Sequence, residues 1–180
     1  GESFIYFYDD NSVVKVFKEE VNNDLKNAVI LSVLKRRKVL EGVNNRNLKY
    51  KYIIPKKLLV DNNEVYGYIM DNVVDGIQFS SLRDKKQVEK LGLDRKDVLQ
   101  ILITVGEGIE TLHTNNIFIG DLNGRNILFD TQKNVYFLDF DGMGVDNIVP
   151  EFCTDGYIDP ISKKKQNITM KDDWYSFAIQ

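Results

Sequence analysis

The chain predicts an α+β fold in two parts: a small antiparallel sheet carrying one helix, then a mainly helical part. Three observations predict it. Residues 1–70 hold four runs rich in β-branched and aromatic residues, two about Asp9-Asp10-Asn11 and two about Asp61-Asn62-Asn63. From residue 77 onward apolar residues recur at helical spacing instead. That second part is interrupted by one pair of short apolar runs, NILFD and VYFLDF, placed at 126–139.

Each element has its own warrant. SFIYFY and SVVKVFK flank the turn residues Asp9-Asp10-Asn11 and read as a hairpin. Residues 22–41 read as a helix with the apolar centre AVILSVL. Its end falls near Glu41, because Gly42 follows. YIIPKKLLVDNNEVYGYIM reads as two further strands around Asp61-Asn62-Asn63, with Pro55 near a strand end. Residues 71–76 read as a linker, dividing the chain into 1–76 and 77–180. LDRKDVLQILITVGEGIETLH is the clearest helix: Asp94 suits its N-cap. Val98, Ile101, Leu102, Val105, Ile109 and Leu112 fall on one face. His113, at its C-terminal end, suits the negative end of the helix dipole.

Bulk composition narrows the function. The 180 residues, 43% hydrophobic and 28% charged, suffice for a core shared between two lobes. Lys plus Arg number 24 against 27 Asp plus Glu, a net charge of −3, so no nucleic-acid partner is expected. The basic runs LKRRK and SKKKQ are short and read as solvated faces. The single cysteine, Cys153, excludes an intrachain disulfide and a Cys-based metal site. It fits a reducing, cytoplasmic compartment and reads as a buried, inert thiol. Apolar runs are too short for a membrane span, and the N-terminus has no signal-peptide pattern.

Chemistry concentrates in IGDLNGRNIL, residues 119–128. Asp121 stands five residues before Asn126, with the turn pair Asn123-Gly124 between them. The second short strand runs into Asp139-Phe140-Asp141. Asp121, Asn126 and Asp139 therefore gather at the mouths of two adjacent strands. Oxygen ligands in such small number suit Mg²⁺, which keeps substrate phosphates among its ligands.

With these residues in view, the chain resembles a eukaryotic-type protein kinase domain. IGDLNGRN is similar to the family's catalytic loop from Asp121 onward, DFD to its metal motif, and VVKVFK to its lysine strand. YIMDNVVDG resembles the hinge between lobes, CTDGYIDP the end of the activation segment, and DDWYSFA the start of the buried helix that follows. The likeness covers nearly the whole chain, in order. It implies a two-lobed fold with a truncated C-lobe, a serine/threonine protein kinase activity, ATP and Mg²⁺ as cofactors, and a protein substrate.

The resemblance also implies roles. Asp139 and Asn126 would hold Mg²⁺. Lys15 would neutralise the α/β-phosphates. Asp121 would place the acceptor hydroxyl, with Asn123 in the position of the catalytic lysine. Met70 would be the gatekeeper, and Asp71 and Val73 would offer backbone groups to adenine. Phosphoryl transfer asks for such positioning and charge neutralisation more than for covalent chemistry. Thr154 and Pro160 match the activation segment, and Asp173 the acidic position of the following helix.

Several family residues are replaced. Ile119 and Gly120 stand for the His and Arg beside the catalytic Asp, Asp141 for the Gly of the metal motif, and Ile161 for the Glu after Pro160. No Gly-rich loop is visible. Glu41 is the candidate for the helix glutamate that pairs with Lys15, against a solvated helix end. Small-molecule kinases, such as aminoglycoside phosphotransferases, share GDLN…N with LDFD, and a pseudokinase binding module is a third reading. Segments 153–160 and DDWYSFA favour the protein kinase.

Overall fold

The computed structural model describes residues 3–18, 34, 36–62, 64–140, 144–145, 156–165 and 168–180. Strands β1 (Ser3–Asp9) and β2 (Ser12–Phe17) form the expected hairpin, and Asp9 Oδ1 accepts the Asn11 N–H at 2.9 Å in its turn. β4 (Lys57–Asp61) and β5 (Glu64–Asp71) form the second hairpin, with Asn62 in the left-handed region at φ +47°. The four strands make one antiparallel sheet in the order β1-β2-β5-β4. Gly67 lets β5 close on β2: a Cβ there would lie 2.3 Å from the Lys15 carbonyl oxygen.

Helix α1 is described over residues 36–44 and runs past Glu41 to Asn44. The expected stop at Gly42 is thus corrected, and the expected N-terminal part, 22–33, lies outside the described residues. Tertiary anchoring carries the helix through the glycine. Leu40 and Val43 are buried on either side of it. Asn44 then grips the next strand: its Nδ2 donates to the Tyr52 carbonyl at 2.7 Å, and its Oδ1 accepts the Tyr52 N–H at 2.8 Å.

That strand, β3 (Tyr50–Tyr52), leaves the first sheet and pairs in parallel with β9 (Val135–Phe137). β9 pairs with β8 (Ile127–Phe129), and β8 with β6 (Ile77–Gln78), giving a second sheet in the order β3-β9-β8-β6. The β8–β9 pair is the expected one. β3 was not expected as a strand of its own, because the run from Tyr52 to Val60 was read as one strand, and its crossing joins the two halves.

After β6 come a 3-10 helix (Phe79–Arg83), α2 (Lys85–Lys90) and α3 (Arg95–Thr114). Asp94 caps α3 as expected, in a reciprocal capping box with Asp97. Ile101, Val105, Ile109 and Leu112 are buried, as the helical spacing requires, while Val98 and Leu102 are half-buried. β7 (Ile117–Phe118) pairs with β10 (Gly144–Val145), and α4 (Pro160–Lys165) and α5 (Met170–Ala178) complete the described chain. Among the described residues no helix is long and apolar enough to cross a membrane.

The core lies between α1, α3 and the second sheet, around three aromatics. The Tyr52 ring is 5.4 Å from that of Phe137 and stands edge-on to Phe140 at 5.8 Å. Its hydroxyl donates to the Gly108 carbonyl at 2.7 Å. Burial pushes that phenol well above the usual tyrosine range. Gly108 has no room for a side chain, since a Cβ would meet Phe137 at 2.3 Å.

Candidate active site

The site forms where a lysine of the first sheet meets the aspartate that follows β9 of the second. Lys15 sits in β2, between β1 and β5, and is 6% exposed. Its ammonium lies 5.8 Å from the ring centre of Tyr68, its cross-strand partner. Its Nζ meets Asp139 Oδ1 at 2.5 Å, a contact spanning 124 residues of chain. The Asp139 side chain is 43% exposed, so this pair opens to solvent on the carboxylate side. Asp139 has φ +59°, a backbone conformation that non-glycine residues adopt at a cost and that concentrates at functional sites. Packing holds it there: Phe137 and Phe140 on either side are 1% and 2% exposed.

Asp121, Asn123 and Asn126 share one loop between β7 and β8. Asn126 is tied to both neighbours. Its Nδ2 donates to the Asp121 carbonyl at 3.3 Å, and its own carbonyl accepts the Leu138 N–H at 2.8 Å. The second bond sets Asn126 beside the residue preceding Asp139. Asn123 braces the loop from within. Its Nδ2 donates to Asp121 Oδ2 at 3.3 Å, and its Oδ1 accepts the Arg125 N–H at 3.0 Å.

Behind the loop, Asp173 of α5 is fully buried and accepts the N–H groups of Ile119 at 2.8 Å and Gly120 at 2.9 Å. His113 Nε2 meets the same carboxylate at 2.9 Å. The acidic position was legible in the sequence. The partner of His113 was not, because 60 residues separate the two. Gly120 has φ +75°, where glycine is free of the Cβ clash.

The candidate hinge residues lie together at the end of β5. Met70 pairs with Val13 and Asp71 with Ser12 of β2. The Asp71 carboxylate also pairs with the Lys56 ammonium. The Val73 carbonyl accepts the Gly76 N–H at 3.3 Å as the chain turns toward β6.

Glu41 does not face Lys15. It pairs with Arg37, one turn back on α1, at 2.6 Å, and its side chain is 44% exposed. The helix end turns this carboxylate to solvent, so the solvated reading holds. Asp141, Ile148, Phe152, Cys153 and Thr154 lie outside the described residues. Of the segment's end, the Tyr157 carbonyl accepts the Ser176 hydroxyl of α5, and Pro160 opens α4.

The donor set fits Mg²⁺ bound together with a nucleotide. Asp139 contributes an open carboxylate, and Asn126 has its amide nitrogen engaged, which leaves its oxygen as the ligating end. No group of three His, Cys, Asp or Glu residues that could hold a metal occurs among the described residues. Mg²⁺ commonly takes one or two protein carboxylates and fills its other positions with water and phosphate.

Comparison with known proteins identifies the family and the fold. The protein kinase domain model matches residues 8–180. Serine/threonine-protein kinase 1 of Heliothis zea nuclear polyhedrosis virus is 30% identical over 115 residues, covering 62% of this chain and 40% of the viral protein. A serine/threonine-protein kinase-like protein of Arabidopsis thaliana is 32% identical over 87 residues, covering 45% of this chain and 25% of that protein. The chain thus spans well under half the length of these relatives. The solved Cydia pomonella granulovirus kinase superposes with a TM-score of 0.73 at 22% identity, covering 99% of this chain and 64% of that one, a likeness of fold. With a family match over almost its whole length and the two-lobed fold to go with it, the chain belongs to the protein kinase family.

Proposed function

We propose that the protein transfers the γ-phosphoryl group of ATP, with Mg²⁺, to serine or threonine hydroxyls of a protein substrate in the cytoplasm. The observation that carries this reading is the Lys15–Asp139 contact at 2.5 Å, with Asn126 tied to the residue preceding Asp139. It brings a buried cation for phosphate and an open carboxylate for metal to one point, next to the loop of Asp121.

Each residue then has a distinct task. Lys15 binds the α/β-phosphates as a point charge. Asp139 and Asn126 hold the Mg²⁺, which neutralises charge on the phosphates when bound. Asp121 accepts the hydrogen bond of the acceptor hydroxyl and takes its proton late, as the new O–P bond forms and the β–γ bridge bond breaks. Asn123 keeps the Asp121 carboxylate aimed. Backbone groups of Asp71 and Val73, beside Met70, take the adenine. The likeness of CTDGYIDP and DDWYSFA to the protein-kinase activation segment and the helix after it favours a protein acceptor over a small alcohol, and the Tyr157–Ser176 bond joins these two stretches.

The test uses the full-length protein with labelled ATP and Mg²⁺, offered proteins and small alcohols in parallel. Transfer to protein is expected, and chelation of Mg²⁺ should abolish it. Asp139→Asn should abolish transfer and weaken Mg-nucleotide binding. Asp121→Asn should lower transfer by about 10²- to 10⁴-fold while keeping nucleotide affinity, since its work is on the acceptor side. Full activity in both variants would overturn the assignment. Transfer to small alcohols alone would mark a small-molecule kinase, and nucleotide binding without transfer a pseudokinase.

A further inference from the structure

The candidate catalytic loop carries a cation that this chemistry does not use. Arg125 stands four residues after Asp121, with its backbone N–H held by Asn123 and its side chain exposed. That side chain makes no ion pair among the described residues.

Its place is rigid. The Gly124 carbonyl accepts the Ser80 N–H at 2.9 Å, which docks the loop tip on the 3-10 helix. Gly124 is so enclosed that a Cβ would lie 2.7 Å from Gln180 Oε1 and 3.0 Å from the Ser80 nitrogen. The same docking ties the loop to the segment that carries a second cation, Arg83, three residues after Ser80 and also exposed. Arg83 donates to the carbonyls of Gln180 at 2.8 Å and Ile179 at 2.9 Å, and its guanidinium lies 5.7 Å from the Tyr157 ring centre. Two neighbouring carboxylates are engaged with backbone groups: Asp84 accepts the Lys86 N–H at 2.8 Å, and Asp159 that of Ile161 at 2.7 Å.

We propose that Arg125, seconded by Arg83, is a specificity-determining residue that selects acceptor hydroxyls flanked by acidic side chains. The inference rests on the phosphotransferase reading above. A peptide presenting its hydroxyl to Asp121 passes over the loop that holds Arg125. A guanidinium there accepts a carboxylate in bidentate fashion and repels a flanking Lys or Arg. Selection therefore works by attraction and exclusion together.

The experiment compares Ser- and Thr-peptides flanked by Asp or Glu, by Gln, or by Lys, phosphorylated by the full-length protein. Wild type should prefer acidic over neutral flanks by about fivefold per flanking charge, the upper range for one exposed ion pair. The preference should weaken with added salt. Arg125→Ala should flatten it through the KM for peptide, and Arg125→Glu should invert it toward Lys flanks. The inversion separates recognition from a folding defect, because a damaged protein loses all peptides alike. Wild-type transfer without acidic preference, or an Arg125→Glu variant with unchanged preference, overturns the inference and leaves the phosphotransferase reading standing. Absence of transfer to every peptide and protein overturns that reading, and the inference with it.

Discussion

The buried carboxylate of Asp173 accepts the backbone N–H of Gly120 at 2.9 Å, so α5 holds the loop that presents Asp121. The same carboxylate serves Ile119 and His113. Asp173→Ala would strand these donors away from water, and each buried unsatisfied donor costs roughly 1–3 kcal/mol. A loss of about 3–4 kcal/mol in denaturant unfolding is expected, with phosphoryl transfer falling further than stability alone explains. Asp173→Asn retains one acceptor oxygen and should fall between the two.

Gly120 also bears on regulation. In many protein kinases an Arg at this place captures a phosphate on the activation segment; here there is no side chain to do so. Residues 140–153 contain no Ser, Thr or Tyr, so the donor side is missing as well. Phosphatase treatment of the purified full-length protein should leave its activity unchanged. A large loss mapped to Thr154 or Tyr157 would place a regulatory cation elsewhere. A segment ordered by packing rather than by phosphate is the expectation, with Ile148 and Phe152, both outside the described residues, as its apolar anchors. Restoring the Arg should not help: at φ +75° a Gly120→Arg change would cost roughly 1–2 kcal/mol of backbone strain.

Gly108 sets the path of β9 toward Asp139. A Cβ at this position would stand 2.3 Å from Phe137 Cε2 and 2.6 Å from Cζ. Gly108→Ala should therefore destabilise by about 1–3 kcal/mol, as overpacked cores do, despite the better helix propensity of alanine. Because Phe137 lies two residues before Asp139, kcat should fall too. Thermal unfolding and steady-state kinetics on one preparation would show both effects.

The β8–β9 turn gives the fold an acid-sensitive point. Burial pushes the Asp130 carboxyl up, but hydrogen bonds from the Asn134 side chain and backbone, Tyr136 and Gln132 outweigh it and leave the carboxyl below its ordinary value. Conversely, Tyr136 is pushed up to about 12 by burial and by its bond to Asp130. A folded-state carboxyl below its unfolded value contributes stability that is present above the unfolded pKa and lost as pH falls through the folded one. Wild type should accordingly lose stability more steeply than Asp130→Asn as pH drops below about 4. Chemical unfolding at a series of pH values would measure the difference. Parallel curves for the two proteins would exclude this turn as the acid-sensitive point.

What the sequence determined by itself is what short-range physics controls. The hairpins about Asp9–Asn11 and Asp61–Asn63 follow from turn residues between β-branched runs. The start of α3 at Asp94 follows from a capping side chain three residues from the N–H it serves. The order of motifs around Asp121, Asn126 and Asp139 was legible because their spacing is covalent. Tertiary structure alone decided the rest, where the partner lies far along the chain. Lys15 and Asp139 meet across 124 residues, and His113 and Asp173 across 60. β3 had a strand's composition but no local mark of its partner, and it went to β9 because Asn44 and the aromatic cluster of Tyr52, Phe137 and Phe140 hold it there. Between the two readings of Glu41 the sequence could not choose: its distance from Met70 made it a candidate partner for Lys15, and the helix end a solvated carboxylate. The direction of the helix face, set by burying Leu40 and Val43, turned it to Arg37 and solvent.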